Sequence, residues 1–458
     1  MSWNVGLSLG ESFAEFTAIQ SRTRIQKRWF LPKTPLAEGL NQILKEHPDL
    51  RGCKIQLTTK LAQVIMRHRA GAHVALLVTA GFEQWPRIRQ PVKERGFTLT
   101  PKRYRPLLSE DLIFGITERT DSAGRIHVPL KAEELEFLIP KLQLTETKEV
   151  AIGFLHSHLN PSHEKMAADL LRKNGFEVLC SHEIEESSNE VARWWRAVLN
   201  AYVAPAFHEL EAQLEPVKKE HDVSFAFWSS DGSLFEGDPG RYYSSTLGNV
   251  AALSKLPKQK KLKSVLHLGL EQFVMINCEE RAPIWHGDFG PVALPGPEFK
   301  KTRIQPTQFI ASDTLQGALF ETLEAGYEPG PMLFGRNLRP TFVDILFLQK
   351  RLTSVEGLIG LAAAGIEQRL EQTLHALFKE TLETPNQSKK LVEDMGLSML
   401  AQEIHQNANS PSILCTGALA PALAPLLQTR LSSVQLVVEK SADFAESLAA
   451  AHVQGDET

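Results

Sequence analysis

Three short apolar runs in the first half of this chain constrain its fold more than any other sequence feature. The first is Val74–Thr79, and the other two, Val150–Leu155 and Phe176–Cys180, flank a segment with the spacing of an amphipathic helix, Ser162–Lys173. Short, continuous apolar runs are typical of strands that are buried on both faces. A helix between two such strands is the usual connection of a parallel pair, so the sequence predicts a β–α–β unit and an α/β fold.

The pattern of predicted elements indicates two α/β halves. Each half contains a predicted strand–turn–strand unit, formed by residues 3–9 and 13–20 in the first half and by residues 264–269 and 272–277 in the second. A chain of 458 residues is long enough for two or more domains of ordinary size. We therefore expect one domain over residues 1–215 and a shorter second domain over residues 216–458.

The composition excludes several classes of protein. The net charge of −4 gives no basic surface of the kind that binds nucleic acid. No apolar run approaches the roughly 20 residues of a membrane span, and the first residues lack the pattern of a secretion signal. The four cysteines are scattered without a CxxC spacing, as is typical of thiols in a reducing compartment. We expect a cytoplasmic protein that binds neither nucleic acid nor membrane.

Several segments resemble the family of hydantoinase A, oxoprolinase and acetone carboxylase. Three of them are Leu76–Phe82, His156–Glu164 and Ala197–Pro205, and a fourth, Gly326–Arg336, is similar to the family's Gly-x-x-Pro-Gly-Pro-x-x-Tyr-Gly segment. The resemblance is best between residues 57 and 214. It implies a bilobal, actin- and sugar-kinase-like (ASKHA) ATPase fold, in which members of the family use ATP to activate a carbonyl or amide oxygen.

The resemblance fails at the first loop that should hold the phosphates of ATP. The family's loop reads Asp-x-Gly-Gly-Thr-x-Thr-Asp, whereas the corresponding stretch here contains Gly10, Glu11 and Ser12. Phosphate loops need glycine for close approach of the backbone and N–H groups for the anion. A carboxylate from Glu11 at this position is expected to repel a phosphate.

The other two phosphate loops differ from the family pattern as well. The second corresponds to a stretch with His267 and Gly269, in which the aspartates that would supply hard oxygen ligands to Mg²⁺ are gone. The third corresponds to a stretch around Asp313 that has no glycine. Together with Gly417, these positions would line a vestigial nucleotide cleft. We predict degenerate phosphate loops, with no catalytic residue and no metal site in this chain.

These differences favour a structural or assembly subunit over an enzyme that acts alone. The chain most resembles the short, gamma-type hydantoinase-A-like subunits of hetero-oligomeric, ligase-type, ATP-dependent carboxylases that convert acetophenone or a similar ketone to a β-keto acid. That resemblance implies larger hydantoinase-A-like and hydantoinase-B-like partners, with a small metal-binding subunit as a further candidate. ATP, Mg²⁺ and bicarbonate would bind at those partners, and this chain itself would bind no cofactor.

Two other functions stay open at this point. One is an ATP-dependent amidohydrolase of the hydantoinase or oxoprolinase type, with altered loops. The other is a small-molecule binding protein that uses the cleft between the lobes, where ligand pockets commonly lie.

Four histidines form a separate candidate site near Cys180. They are His156, His158, His163 and His182, and a borderline metal such as zinc accepts imidazole and thiolate ligands. The first three fall within a segment that resembles the family, where hydrogen bonds that order a loop are the favoured interpretation. A role at a subunit contact is a further possibility.

Overall fold

The structure is a computed structural model that describes most of the chain. It describes residues 3–68, 70–85, 107–184, 188–256, 262–271, 273–277, 284–287, 290–293, 300–304, 332–334, 342–352, 368, 372, 385–408, 410–439 and 442–451. Helices and strands alternate along these residues, so the predicted α/β class is confirmed. None of the helices within these ranges is long and apolar enough to cross a membrane.

The first sheet contains the strands that open the chain. Its members are β1 (Asn4–Leu9), β2 (Phe13–Gln20), β3 (Thr23–Phe30), β4 (Lys54–Thr59), β11 (Ser224–Trp228) and β12 (Leu234–Phe235). They lie in the order β12-β11-β4-β1-β2-β3. The strands β1 to β3 form an antiparallel meander, while β4 runs parallel to β1 and β11 runs parallel to β4.

The second sheet repeats this topology. Its members are β13 (Ser264–Leu268), β14 (Phe273–Asn277), β17 (Lys300–Ile304), β18 (Ser412–Thr416) and β19 (Gln435–Val438). They lie in the order β17-β14-β13-β18-β19, with the first two pairs antiparallel and the last two parallel. If the strands are counted along the chain, both sheets have the core order 3-2-1-4-5. The two sheets are therefore topological repeats of each other.

We call the part built on the first sheet the first lobe and the part built on the second sheet the second lobe. A third, parallel sheet is inserted into the first lobe. Its members are β5 (Val74–Thr79), β6 (Ile113–Ile116), β9 (Glu149–Gly153) and β10 (Glu177–Cys180). They lie in the order β10-β9-β5-β6, and every neighbouring pair is parallel. This sheet contains the three apolar runs of the sequence, and the predicted β–α–β unit is confirmed. Two short hairpins complete the described strands, β7 (Arg119–Thr120) with β8 (Ile126–Val128) and β15 (Ile284–Gly287) with β16 (Gly290–Ala293).

The described helices cover the sheets and join them. They are α1 (Leu36–Glu46), α2 (Leu61–His68), α3 (Ala132–Leu144), α4 (Ser162–Lys173), α5 (Ser181–Ile184), α6 (Glu190–His221), α7 (Gly248–Leu253), α8 (Phe342–Leu348), α9 (Pro385–Asn407), α10 (Ala420–Gln428) and α11 (Ala445–Ala451). Asn189 caps the start of α6 by accepting a hydrogen bond from the Ala192 N–H group. The long helix α6 packs against both the inserted sheet and α1 of the first lobe.

The helix α6 also bears on the predicted division of the chain. Residue 215, the expected end of the first domain, lies inside α6, which continues to His221. The next strand, β11, then joins the first sheet beside β4. The change from the first sheet to the second therefore falls between α7 and β13, after residue 253 and before residue 264.

The helix α11 returns the chain to the first lobe after the second sheet is complete. It is buried along its whole length and packs on β1, β2 and β4. Gly6 of β1 makes this possible, because a Cβ atom there would lie 2.1 Å from the Ser447 carbonyl oxygen and 2.4 Å from the Ala451 nitrogen. The close approach brings Glu446 of α11 beside Ser8, near the end of β1.

We expect Gly6→Val to displace α11 and to lower the free energy of unfolding by about 1–3 kcal/mol, the usual cost of overpacking a core. Urea unfolding of the purified chain measures this effect. Gly240→Ala is the control, because the nearest atoms to a Cβ there are side-chain atoms at 3.3 Å. An equal loss of stability in both variants would contradict the proposed role of Gly6.

Candidate functional site

The structure brings the predicted cleft residues together between the first and second sheets. The loop after β1 faces the loop after β13, and Gly417, which follows β18, lies beside both Leu268 and Gly269. Gly417 has a φ of +97°, and a Cβ atom there would lie 2.3 Å from the Leu268 carbonyl oxygen. The predicted positions that meet here are Gly10, Glu11, Ser12, His267, Gly269 and Gly417. The remaining predicted residue, Asp313, lies outside the described residues.

The backbone of the first loop binds a carboxylate of the protein itself. The Glu11 N–H group donates to Oε2 of Glu271 at 2.8 Å. The N–H groups of Ser12 and Phe13 donate to Oε1 of the same side chain at 2.6 and 3.1 Å. Successive N–H groups that converge in this way form an anion-binding nest. Gly10 is needed beside the nest, because a Cβ atom there would lie 2.3 Å from Oε2 of Glu271.

The position of Glu271 changes the interpretation of Glu11. The sequence pattern suggested that the Glu11 carboxylate stands where a phosphate would approach the loop. In the structure the backbone N–H of Glu11 is part of the nest, and the carboxylate inside the nest belongs to Glu271. Sequence reasoning missed Glu271 because it lies 260 residues later in the chain. Its presence in the altered second loop was the available signal.

Lys60 connects this carboxylate to a second one. The Lys60 ammonium nitrogen lies 3.3 Å from Oε2 of Glu271 and 3.4 Å from Oε1 of Glu446. All three side chains are 7–8% exposed, so the charges are almost completely removed from water. Burial lowers the pKa of Lys60, but the carboxylates of Glu446 and Glu271 outweigh it and raise the pKa above its usual value. Lys60 therefore stays charged and forms an ion pair with each carboxylate.

Glu446 is held in its ionised form by several partners. It accepts a hydrogen bond from the Ser8 hydroxyl at 2.8 Å, and Nε2 of His267 lies 3.2 Å from its Oε1 atom. The other ring nitrogen of His267 lies 3.2 Å from the Thr416 hydroxyl. Burial raises the pKa of Glu446, but the charge of Lys60 and the hydrogen bond with His267 hold it well below its usual value. Ion pairs of Lys60 with Glu271 and Glu446 thus join the first lobe to the loop after β13 in the second lobe.

Little space remains between these groups. A cavity of about 20 Å³ is lined by residues that include Ser8, Lys60, His267, Glu271 and Glu446. This volume corresponds to roughly one water molecule.

In the cluster of Glu164, Cys180 and His182, the carboxylate is already bound by other groups of the protein. Its candidate ligand atoms lie within 4.8 Å of one another. The Glu164 carboxylate already accepts four hydrogen bonds, from the Phe154 N–H group, the Ser181 hydroxyl, and both the N–H group and Nδ1 of His182. These donors fill the roughly four lone-pair positions of a carboxylate. Burial and the nearby Glu164 charge raise the pKa of Cys180, which disfavours the thiolate that a metal needs.

The other three histidines each have a separate partner. Nδ1 of His163 lies 2.7 Å from Glu118, and its Nε2 atom accepts the Leu130 N–H group, so the ring is the neutral Nδ1–H tautomer. The remaining two contacts join His156 to Glu190 and His158 to Arg193. These contacts hold the segment after β9 against the start of α6. Among the described residues, the four histidines therefore have no common point at which they meet.

A larger cavity of about 410 Å³ lies on the other side of the first loop. Apolar side chains such as Leu36, Val64 and Leu210 form most of its wall, and Glu11 and Glu209 line it as well. It is open to solvent and lies within the first lobe, between α1, α2 and α6. It shares only Gly10 with the lining of the small cavity in the cleft between the sheets.

Comparisons with known sequences support the resemblance derived from the segments. Residues 34–175 match the family described as Hydantoinase/oxoprolinase N-terminal region. The acetophenone carboxylase gamma subunit of Aromatoleum aromaticum is 31% identical over 55% of this chain and 38% of its own length. An uncharacterized protein of Methanocaldococcus jannaschii is 28% identical over 77% of this chain and 57% of its own length. The chain thus spans less than two thirds of the length of these curated relatives.

Comparisons with solved structures support the fold. A nucleotide-free structure of acetone carboxylase matches 98% of this chain and 69% of that chain with a TM-score of 0.79, at 15% identity. The ATP-dependent caprolactamase from Pseudomonas jessenii matches 97% of this chain and 70% of that chain with a TM-score of 0.69, at 17% identity. Likenesses at these identities concern the fold and not the activity.

We expect Glu446→Gln to weaken the acid sensitivity of the fold. The folded-state pKa of Glu446 lies below its usual value of 4.5, so its stabilisation is complete above that pH and is lost as the pH falls towards the folded-state value. The variant should be about 3 kcal/mol less stable at pH 7, because it removes one partner of the buried ion pair with Lys60. Its free energy of unfolding should also change less than that of the wild type as the pH falls below 4.5.

Denaturant unfolding at a series of pH values measures both effects. Glu236→Gln is the matched control, because its ion pair with Lys54 is about half exposed to solvent. Exposed pairs contribute little to stability, so this control should follow the wild type. Parallel pH profiles for the wild type and Glu446→Gln would contradict the assignment.

Proposed function

We propose that this chain is a subunit without an ATPase site of its own, in a hetero-oligomeric, ATP-dependent ketone carboxylase. The observation that carries the proposal is the position of Glu271, whose carboxylate occupies the N–H groups of the loop that should receive a phosphate. The carboxylase part rests on similarity to the acetophenone carboxylase gamma subunit and to the acetone carboxylase beta subunit of Xanthobacter autotrophicus, which is 25% identical over 42% of this chain and 31% of its own length.

Electrostatics oppose nucleotide binding at this loop. A phosphate would have to displace Glu271 and leave a carboxylate in a buried position without its donors. Breaking a buried ion pair by removing one partner costs about 3–5 kcal/mol, because the remaining charge is uncompensated. A phosphate that stayed outside the nest would face two carboxylates, those of Glu271 and Glu446, with one ammonium group between them.

The loop sequences support the same conclusion for metal binding. Phosphoryl transfer needs positioned phosphates and a magnesium ion that neutralises the developing charge. The described remnants of the first two loops supply Ser8, Glu15, His267 and Glu271 to the cleft, and each of these side chains has a partner within the protein. We therefore assign degenerate phosphate loops and no catalytic residue to this chain.

In such an assembly the chemistry would take place on the partners. ATP, Mg²⁺ and bicarbonate would bind to larger hydantoinase-A-like and hydantoinase-B-like subunits, where the ketone would be activated by phosphorylation before carboxylation. This chain would hold those subunits in place. The contacts of Glu271 and Lys60 across the cleft suit that role, because a fixed arrangement of lobes presents constant surfaces to its neighbours.

We expect the purified chain to give no binding signal with Mg-ATP at millimolar concentration and no ATP hydrolysis, because Glu271 blocks the first loop. Isothermal titration calorimetry and a phosphate-release assay measure these properties. Purification of the tagged chain from its native extract should also recover larger hydantoinase-A-like and hydantoinase-B-like proteins. Micromolar binding with turnover by the chain alone would contradict the proposal and favour the amidohydrolase alternative.

A further inference from the structure

We infer that Glu271 is a built-in substitute for a phosphate: it fills a latent oxyanion site of the first lobe from the second lobe, an inference that rests on the proposed function. The site consists of three backbone N–H groups, those of Glu11, Ser12 and Phe13, and the ammonium group of Lys60. The chemical class that it takes is a compact oxyanion, with inorganic phosphate as the simplest example.

The geometry of the donors supports an oxyanion site and not a simple ion pair. Each carboxylate oxygen of Glu271 has two donors. Oε1 accepts the N–H groups of Ser12 and Phe13, while Oε2 accepts the Glu11 N–H group and lies 3.3 Å from the Lys60 nitrogen. An ion pair with Lys60 would need none of the N–H groups. Backbone N–H groups combined with one lysine are the donor set with which other loops hold phosphate.

The repeated topology explains how Glu271 reaches this site. The nest lies in the turn between β1 and β2, the first and second strands of the first sheet. Glu271 lies in the turn between β13 and β14, the first and second strands of the second sheet. The two equivalent turns therefore face each other across the cleft. One turn supplies the donors, and the other supplies the anion.

An internal anion would keep the lobes together without a ligand. The last residue of the nest, Phe13, belongs to the apolar core of the second lobe, and its ring lies 5.0 Å from that of Phe334 in an edge-on arrangement. The loop is thus fixed by a polar contact through its backbone and by an apolar contact through its last side chain. We expect the cleft to stay closed at any concentration of nucleotide.

The test is rescue by inorganic phosphate. Glu271→Ala removes the carboxylate but leaves the N–H groups and Lys60, so phosphate should bind this variant with a millimolar dissociation constant. Calorimetry measures the binding, and thermal unfolding in phosphate and in chloride of equal ionic strength measures the stabilisation. Wild type should bind phosphate at least tenfold more weakly. Glu271→Ala combined with Lys60→Met should lose the binding.

Glu446→Gln is the matched control, because Glu446 also contacts Lys60 but accepts none of the N–H groups of the nest. It should lose stability without gaining phosphate binding. If Glu271→Ala does not fold, Glu271→Gln keeps the side-chain shape, and phosphate should raise its unfolding temperature more than that of wild type. Equal effects of phosphate on wild type and on every folded Glu271 variant would overturn the inference.

The outcome is separable from that of the proposed function. Absence of phosphate rescue, with wild type still unable to bind Mg-ATP and still bound to carboxylase partners, would remove only the oxyanion site. Turnover of ATP by the wild-type chain would instead remove the proposed function, whatever the variants do.

Discussion

The arrangement of the two lobes depends on the buried charge of Lys60. Its ammonium group lies between carboxylates from distant parts of the chain, Glu271 after β13 and Glu446 in α11. Taking three charges out of water is costly, and the attraction offsets that cost only when further hydrogen bonds satisfy the remaining positions. The nest, Ser8 and His267 supply those hydrogen bonds. The cleft between the two sheets is in this way held together by side chains of the protein itself.

Equivalent turns of the two sheets have opposite electrostatic roles: one binds an anion and the other supplies it. The turn after β1 offers N–H groups, and the equivalent turn after β13 offers a carboxylate, although the strands around them have one topology. The main chain fixes where a turn points, while the side chains decide whether the turn attracts or supplies an anion. A few side chains in two turns therefore give equivalent turns opposite electrostatic roles without a change in topology.

The sequence predicted local structure better than the contacts that join distant segments. The helix at residues 162–173 and the strand at residues 74–79 have local apolar patterns, and the structure has them with these bounds. The edge strand β3 was not predicted, because its mostly polar sequence has no regular apolar alternation and only Arg28 of its eight residues is buried. The six predicted cleft positions that the structure describes lie close together. They could be predicted because the family's loops were matched to stretches of this sequence. The contact of Glu271 with the nest could not be predicted, because no local pattern relates residues 260 positions apart.

The position of α11 has a consequence for synthesis of the protein. Domains generally fold as the ribosome delivers them, with the N-terminal part first. Here Ser8 of β1 is synthesised 438 residues before Glu446 of α11, its hydrogen-bond partner. The apolar surface around Gly6 is therefore covered only after this long intervening segment has been made. During that interval the nascent lobe offers a surface to which chaperones, or a neighbouring nascent chain, can bind.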